Sequence, residues 1–187
     1  SLYQNKKVIY SNRFDQGEAE HKIMSFLRIE SQKQNWDPNT RICICSMDND
    51  FINLSLQTYI RNITLLNFVR DDLTALLIEI KILRDLIGKE LNVDEEKLAS
   101  RLDDIVMISL LISNDFTPSF PDLPNCSMET LFELYKAIIK EKPDFMLFKD
   151  GEFEIESVKF FLNTLIKKAI APDQNTAKAY LMKFEEM

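Results

Sequence analysis

Glycine is scarce. The 187 residues hold three, Gly17, Gly88 and Gly151, too few and too scattered for a Gly-rich loop that cradles phosphate through backbone N–H groups. Histidine is scarcer: His21 stands alone, which excludes zinc sites built on several histidines and argues against a Ser-His-Asp triad. Three cysteines make neither a disulfide framework nor a CxxC metal knuckle, because Cys43 and Cys45 are two apart on an expected strand and Cys126 is remote. A reducing, intracellular setting is the expectation. Positive charge is short as well. Lys+Arg number 23 against 30 Asp+Glu, a net charge of −7, the wrong sign for holding nucleic acid by bulk electrostatics alone. A polyanion partner would need metal ions or basic residues from elsewhere. Long apolar runs are missing too: the stretches 76–86 and 105–112 are short or carry Glu79, Lys81, Arg84 and Asp85, so neither a membrane span nor a signal peptide is expected. The chemistry left over is that of carboxylates.

What is present specifies a folded chain. With 45% hydrophobic and 28% charged residues the composition is globular, and the length suits one domain with a single core, residues 1–187. The first residue is Ser1, not Met, and a strand-like Lys7-Val8-Ile9-Tyr10 follows almost at once, so an excised piece of a longer protein is expected.

Val8-Ile9-Tyr10 leads through a polar turn, residues 11–17, into Ile23, Met24, Phe26 and Leu27 at helical spacing. The unit recurs. Asp37-Pro38-Asn39 makes a turn, residues 41–47 read as a buried strand whose cysteines pack in the core, and Phe51, Ile52, Leu54 and Leu56 continue as a helix, with residues 63–69 as a third strand. Strands separated by helices imply parallel pairing with right-handed crossovers. The fold class expected for residues 1–70 is therefore α/β, a parallel sheet flanked by helices. Residues 71–187 look mainly helical, with stripes at Leu83, Leu86 and Leu91, at Ile105, Ile108, Leu111 and Ile112, at Leu131, Leu134 and Ile138, and at Val158, Phe161, Leu162 and Leu165. Pro118, Pro121 and Pro124 mark a rigid loop, Lys149-Asp150-Gly151 a tight turn, and Asp103 and Asp104 are expected to cap a helix.

Acids gather where the chain leaves apolar runs: Glu18 and Glu20 after the first, Asp48 and Asp50 after the second, and Asp115 beyond residue 113. Carboxylates two apart lie on opposite sides of a helix but on one side of extended chain, so each pair converges only at a strand end or helix start. In parallel sheets that end is the usual ligand crevice. Four or five anions together demand counter-cations, and an all-oxygen set suits Mg²⁺ or Mn²⁺. Two such ions about 4 Å apart would activate a water and stabilise a leaving oxygen in phosphodiester hydrolysis. Acids at helix N-termini also act as caps, at about 0.3–1 kcal/mol each. Capping needs one acid per helix, whereas here a pair occurs twice, and spacing alone leaves both readings open. His21 and Lys22 are candidate phosphate contacts. Trp36, beside Pro38, reads as a packing residue.

At these positions the sequence resembles a family. Gly17-Glu18-Ala19-Glu20-His21-Lys22-Ile23-Met24 is similar to the G-E-G-E-H-K-I-M signature of XRN-type 5′→3′ exoribonucleases. Residues 37–41 and Ser46-Met47-Asp48-Asn49-Asp50-Phe51-Ile52 look like its D-P-N-T-R and G-L-D-A-D-L-I, and Ile82-Leu83-Arg84-Asp85-Leu86 resembles L-R-E-Y-L. Asp103-Asp104-Ile105-Val106 and Ser113-Asn114-Asp115-Phe116-Thr117-Pro118 continue in the family's order as D-D-F-V and G-N-D-F-L-P. Ala19, Ser46 and Ser113 replace small glycines of the pattern, Asn49 an alanine and Gln16 a proline, while every acid is kept.

The resemblance implies a PIN-like or flap-nuclease-like sheet. It also implies that Glu18, Glu20, Asp48, Asp50 and Asp115 match metal-binding active-site positions. Single-stranded RNA with a 5′ monophosphate would be the substrate of a monomeric enzyme, this chain being the carboxy-terminal part of the conserved catalytic region. Further acids and the 5′-phosphate pocket would come from a missing amino-terminal segment, leaving the isolated chain nearly inactive. Alternatives are a structure-specific flap or PIN-like nuclease, a haloacid-dehalogenase-type phosphatase, disfavoured because Ile52 stands where that family wants Thr, and a non-catalytic RNA-binding or scaffold module.

Overall fold

The computed structural model describes residues 8–12, 14–46, 48–58, 60–68, 74–112 and 127–169. Asp115 and the three prolines of the expected rigid loop lie outside them. Two strands, β1 (Ile42–Cys45) and β2 (Ile63–Phe68), pair in parallel from Ile42 opposite Ile63 to Cys45 opposite Leu66. The helix α2 (Asp50–Leu56) lies on the crossover between them, as a parallel pair requires. The third strand, β3 (Ala75–Glu79), runs antiparallel to β2, with Thr64 opposite Glu79 and Phe68 opposite Ala75. The sheet, in the order β1-β2-β3, is thus mixed, and the expectation of a wholly parallel sheet holds for one pair only. The strand at 75–79 hides in the sequence because it runs without a break into the helix α3 (Ile80–Leu91), and a short apolar run has no period that separates strand from helix.

Val8-Ile9-Tyr10 forms no strand; all three side chains are exposed. β-rich composition without a neighbouring ladder is not enough to make one. The cysteines also correct the expectation. Ile44 is buried, whereas Cys43 and Cys45 alternate with it onto the exposed face, the period of two working against them. Trp36, half-buried, packs on the core beside α1 (Ala19–Ser31) as expected.

The remaining helices are α4 (Glu95–Ser109), α5 (Met128–Glu141) and α6 (Ile155–Ala169), with a hairpin of β4 (Phe148–Lys149) and β5 (Glu152–Phe153) before the last. Asp150 and Gly151 at its tip have φ of 53° and 88°, two consecutive left-handed residues as in a type I′ turn, so the tight turn expected there is formed. Of the first helical stripe, Leu91 is buried but Leu86 points outward. The other three stripes supply the core as expected, with Ile105, Ile108, Leu131, Leu134, Ile138, Phe161, Leu162 and Leu165 all buried.

Instead of one core there are two clusters, and α4 joins them. Its Leu102 and Val106 pack with Met24, Ile44, Phe51 and Leu65 of the α/β part, while Ile105 and Ile108 pack with α5 and α6. Asp103 and Asp104 do not cap this helix. Asp94 does, its side chain accepting the Lys97 N–H at 3.0 Å, because the acids that open the polar stretch are Asp94, Glu95 and Glu96. Asp104 sits about two and a half turns in, with no exposed surface. Its carboxylate accepts the Tyr135 hydroxyl at 2.5 Å and the Leu147 and Phe148 N–H groups at 2.8 Å each. Among the described residues no helix is long and apolar enough to cross a membrane.

Candidate functional site

Two helix starts carry the acidic pairs. Before α1 the chain is tied into a turn: the Asp15 carboxylate accepts the Asn12 N–H at 2.8 Å and the Ser11 hydroxyl at 2.9 Å, and Asn12 Oδ1 accepts the Phe14 N–H at 2.7 Å. Gly17 then takes φ of 94°, a conformation open to glycine at little cost, and Glu18 follows with extended backbone as the N-cap of α1. Its side chain makes no capping bond. The Glu18 carboxylate is therefore not spent on the first N–H groups of the helix it precedes.

The second pair is shaped by hydrogen bonds of its own. Asp48 donates its N–H to Ser46 Oγ at 3.0 Å, and its Oδ1 accepts the Asp50 N–H at 2.9 Å, a local turn that starts α2. Ser46 is one of the departures from the glycine pattern, and its hydroxyl takes a structural part that glycine could not. Nothing in the spacing of acids points to Ser46; the Ser-x-Asp order is the signal for such a bond.

The two pairs meet electrostatically. The Glu18 carboxyl is held above its ordinary range, first by a hydrogen bond with Glu20 and by that residue's charge, with Asp48 adding to the push and His21 opposing it. Glu18 therefore feels Glu20 foremost and Asp48, from a different element, least. Carboxylates this close hold either a proton or a counter-cation, and their all-oxygen donor set fits a hard divalent ion. No group of three or more His, Cys, Asp or Glu among the described residues closes tightly enough to enfold a metal ion as they stand. Asp50 opens α2 beside Asp48, and Asp115 lies outside the described residues.

His21 Nε2 stands 3.9 Å from Glu18 Oε2 with both side chains exposed, so it faces the acids. Lys22 Nζ donates to the Asn12 carbonyl at 3.1 Å, which employs the ammonium in pinning the loop before α1.

A raised carboxyl pKa means that ionisation costs the folded state. The cost is absent below the ordinary carboxylate range and sets in as pH rises through it. Glu20→Gln removes the leading cause, and the Glu18 carboxyl, followed by side-chain NMR against pH, is expected to titrate at lower pH in that variant. An unchanged midpoint would show that the two acids do not interact.

Residues 1–68 match the family model described as the XRN 5′-3′ exonuclease N-terminus. The chain is 29% identical over 160 residues to 5′-3′ exoribonuclease 1 of Homo sapiens, which covers 74% of this chain and 9% of that protein. It is 29% identical over 198 residues to 5′-3′ exoribonuclease 2 of Candida glabrata, with 87% and 19% covered. Against 5′-3′ exoribonuclease 1 of Saccharomyces cerevisiae it is 31% identical over 144 residues, with 66% and 9% covered. The chain thus spans less than a quarter of these relatives' length. The model match, at the start of this chain, does not confirm that the chain is the carboxy-terminal part of a catalytic region. By family model and relatives together, the chain is similar to XRN 5′-3′ exonucleases.

Proposed function

We propose that the parent of this chain is a 5′→3′ exoribonuclease that hydrolyses 5′-monophosphorylated single-stranded RNA to mononucleotides. What supports this reading is that the chain's relatives are named 5′-3′ exoribonucleases, together with acidic pairs at the starts of α1 and α2, where the Glu18 carboxyl is raised by Glu20 and to a lesser degree by Asp48. Glu18, Glu20, Asp48, Asp50 and Asp115 would hold Mg²⁺ or Mn²⁺, two ions in all. The cations would supply charge neutralisation, a more acidic water and stabilisation of the leaving oxygen. The chain's own part is to leave carboxylate oxygens available at the two helix starts: Glu18 makes no capping bond, and Asp48 spends one of its two oxygens on the Asp50 N–H. His21 and Lys22 stand next to them as candidate substrate contacts, Lys22 with one of its three N–H donors on the Asn12 carbonyl.

In this reading the chain is the carboxy-terminal part of the conserved catalytic region, working inside the cell. An amino-terminal segment completes the metal shell and holds the 5′ phosphate, which reconciles the net charge of −7 with an RNA substrate. Geometry errors near 1 Å already cost about a hundredfold in rate, so the 187 residues alone should be nearly inactive. The test is to restore the missing segment and assay single-stranded RNA bearing a 5′ monophosphate or a 5′ hydroxyl, with Mg²⁺ and with chelator. Degradation of the monophosphorylated strand only, lost on chelation, is the expected result. Cleavage indifferent to the 5′ end, a preference for branched DNA, or activity that survives chelation would overturn it.

A further inference from the structure

The cavity between the α3–α4 turn and the end of α5 is cationic in a chain of net charge −7. Its volume is about 420 Å³, within the range of small-molecule sites. Lys97, Arg101, Lys136 and Lys140 line it against Glu90 and Asp94. Both acids are already engaged. Glu90 accepts from Lys136 Nζ at 2.7 Å, and Asp94 caps α4 through the Lys97 N–H. The ammonium groups of Lys97 and Lys140 have no ion-pair partner among the described residues.

Arg101 distinguishes this cavity from a patch of surface lysines. It is 4% exposed, and a guanidinium carries five N–H donors. Nη1 donates to the Tyr135 hydroxyl at 3.1 Å and to the Phe145 carbonyl, and Nη2 donates to the Pro143 carbonyl at 2.5 Å. Nε has no acceptor and is sealed from solvent, and Nη2, with the Pro143 carbonyl as its acceptor among the described residues, carries a second N–H. The nearest counter-charge, Asp104 Oδ2, is 3.7 Å away and already accepts the Tyr135 hydroxyl. A fixed guanidinium out of water, with donors unused, attracts oxyanions more strongly than a solvated amine does.

We infer that this cavity binds a phosphate-bearing ligand, with the phosphate between Lys97, Lys140 and Arg101 and the rest of the ligand against Leu91 and Ile139. The site is separate from the carboxylates, which lie at the starts of α1 and α2. It therefore stands or falls independently of the exoribonuclease reading.

The phosphate group is the shared chemistry of inorganic phosphate, a nucleoside 5′-monophosphate and an RNA backbone, and each is one arm of the test. The ¹⁵N-labelled chain is titrated with each in the presence of EDTA, which keeps metal out of the carboxylates. Amide shifts confined to residues 92–97 and 136–142 are expected, with binding about tenfold or more weaker in Lys97→Ala/Lys140→Ala, as loss of two charge-assisted contacts requires, and unchanged in Asp48→Asn. Both lysines are exposed, so the double variant should fold. The arm that saturates at the lowest concentration identifies the source of the phosphate. Shifts in none of the arms, shifts centred on the carboxylates, or equal binding by the double variant would each end the proposal.

Discussion

Asp104→Ala is expected to lower stability by about 3–5 kcal/mol, the usual cost of removing one partner from a buried charged network. For a chain of this size that is a fall of roughly 6–20 °C in melting temperature. The carboxylate is fully buried and accepts from the Tyr135 hydroxyl and from the Leu147 and Phe148 N–H groups, with Arg101 Nη1 3.7 Å away. Alanine leaves three donors without an acceptor and a buried guanidinium without counter-charge. The damage falls where it matters most, since α4 carries Leu102 and Val106 into one cluster and Ile105 and Ile108 into the other. Tyr135→Phe deletes one of these bonds and should cost about 1–3 kcal/mol. Burial holds the Asp104 carboxyl above its ordinary range, against the pull of Tyr135, the two N–H groups and Arg101. Wild-type stability should accordingly decline as pH rises from the ordinary aspartate range to the raised value, and Asp104→Asn should lack that slope. Thermal unfolding of the three variants across pH decides this; an Asp104→Ala protein that melts with the wild type would refute the stabilising role of the Asp104 network.

In the restored parent enzyme, Asp48→Asn is expected to cut turnover by more than roughly a hundredfold, since loss of mere outer-shell partners of a metal already costs 10- to 100-fold. The substitution is chosen to spare the fold. Asparagine keeps an oxygen for the Asp50 N–H, the bond of 2.9 Å that starts α2, while deleting the charge that Glu18 senses. Unfolding curves should therefore overlay those of the wild type, and the loss should appear in kcat at saturating RNA. Near-normal turnover by a well-folded Asp48→Asn enzyme would remove this residue from the metal site.

Local chemistry made much of this legible. Scarcity of glycine and histidine pointed to carboxylates before any element was placed, and the pairs at 18/20 and 48/50 signalled helix starts because spacing of two converges only there. Residues 41–47 and 63–69 foretold β1 and β2, and Asp150-Gly151 foretold its turn, since these depend on neighbours a few positions away. Other features depended on partners far along the chain. Asp104 resembles a cap in sequence, yet the groups that donate to it lie 31 to 44 residues onward. Cys43 and Cys45 alternate with Ile44 in a way compatible with either face, and only the packing of Met24, Phe51 and Leu65 on one side chose which was buried.

The amino-acid sequence by itself determined the type of chemistry available, the order of the helical stripes and the two places where acids pair. Tertiary structure alone decided that β3 runs antiparallel, that α4 joins two cores, and that Glu18 feels Asp48 across two elements. The division has one physical cause: propensity and turn chemistry act over a few residues, whereas burial and charge depend on which distant segments the folded chain brings within reach.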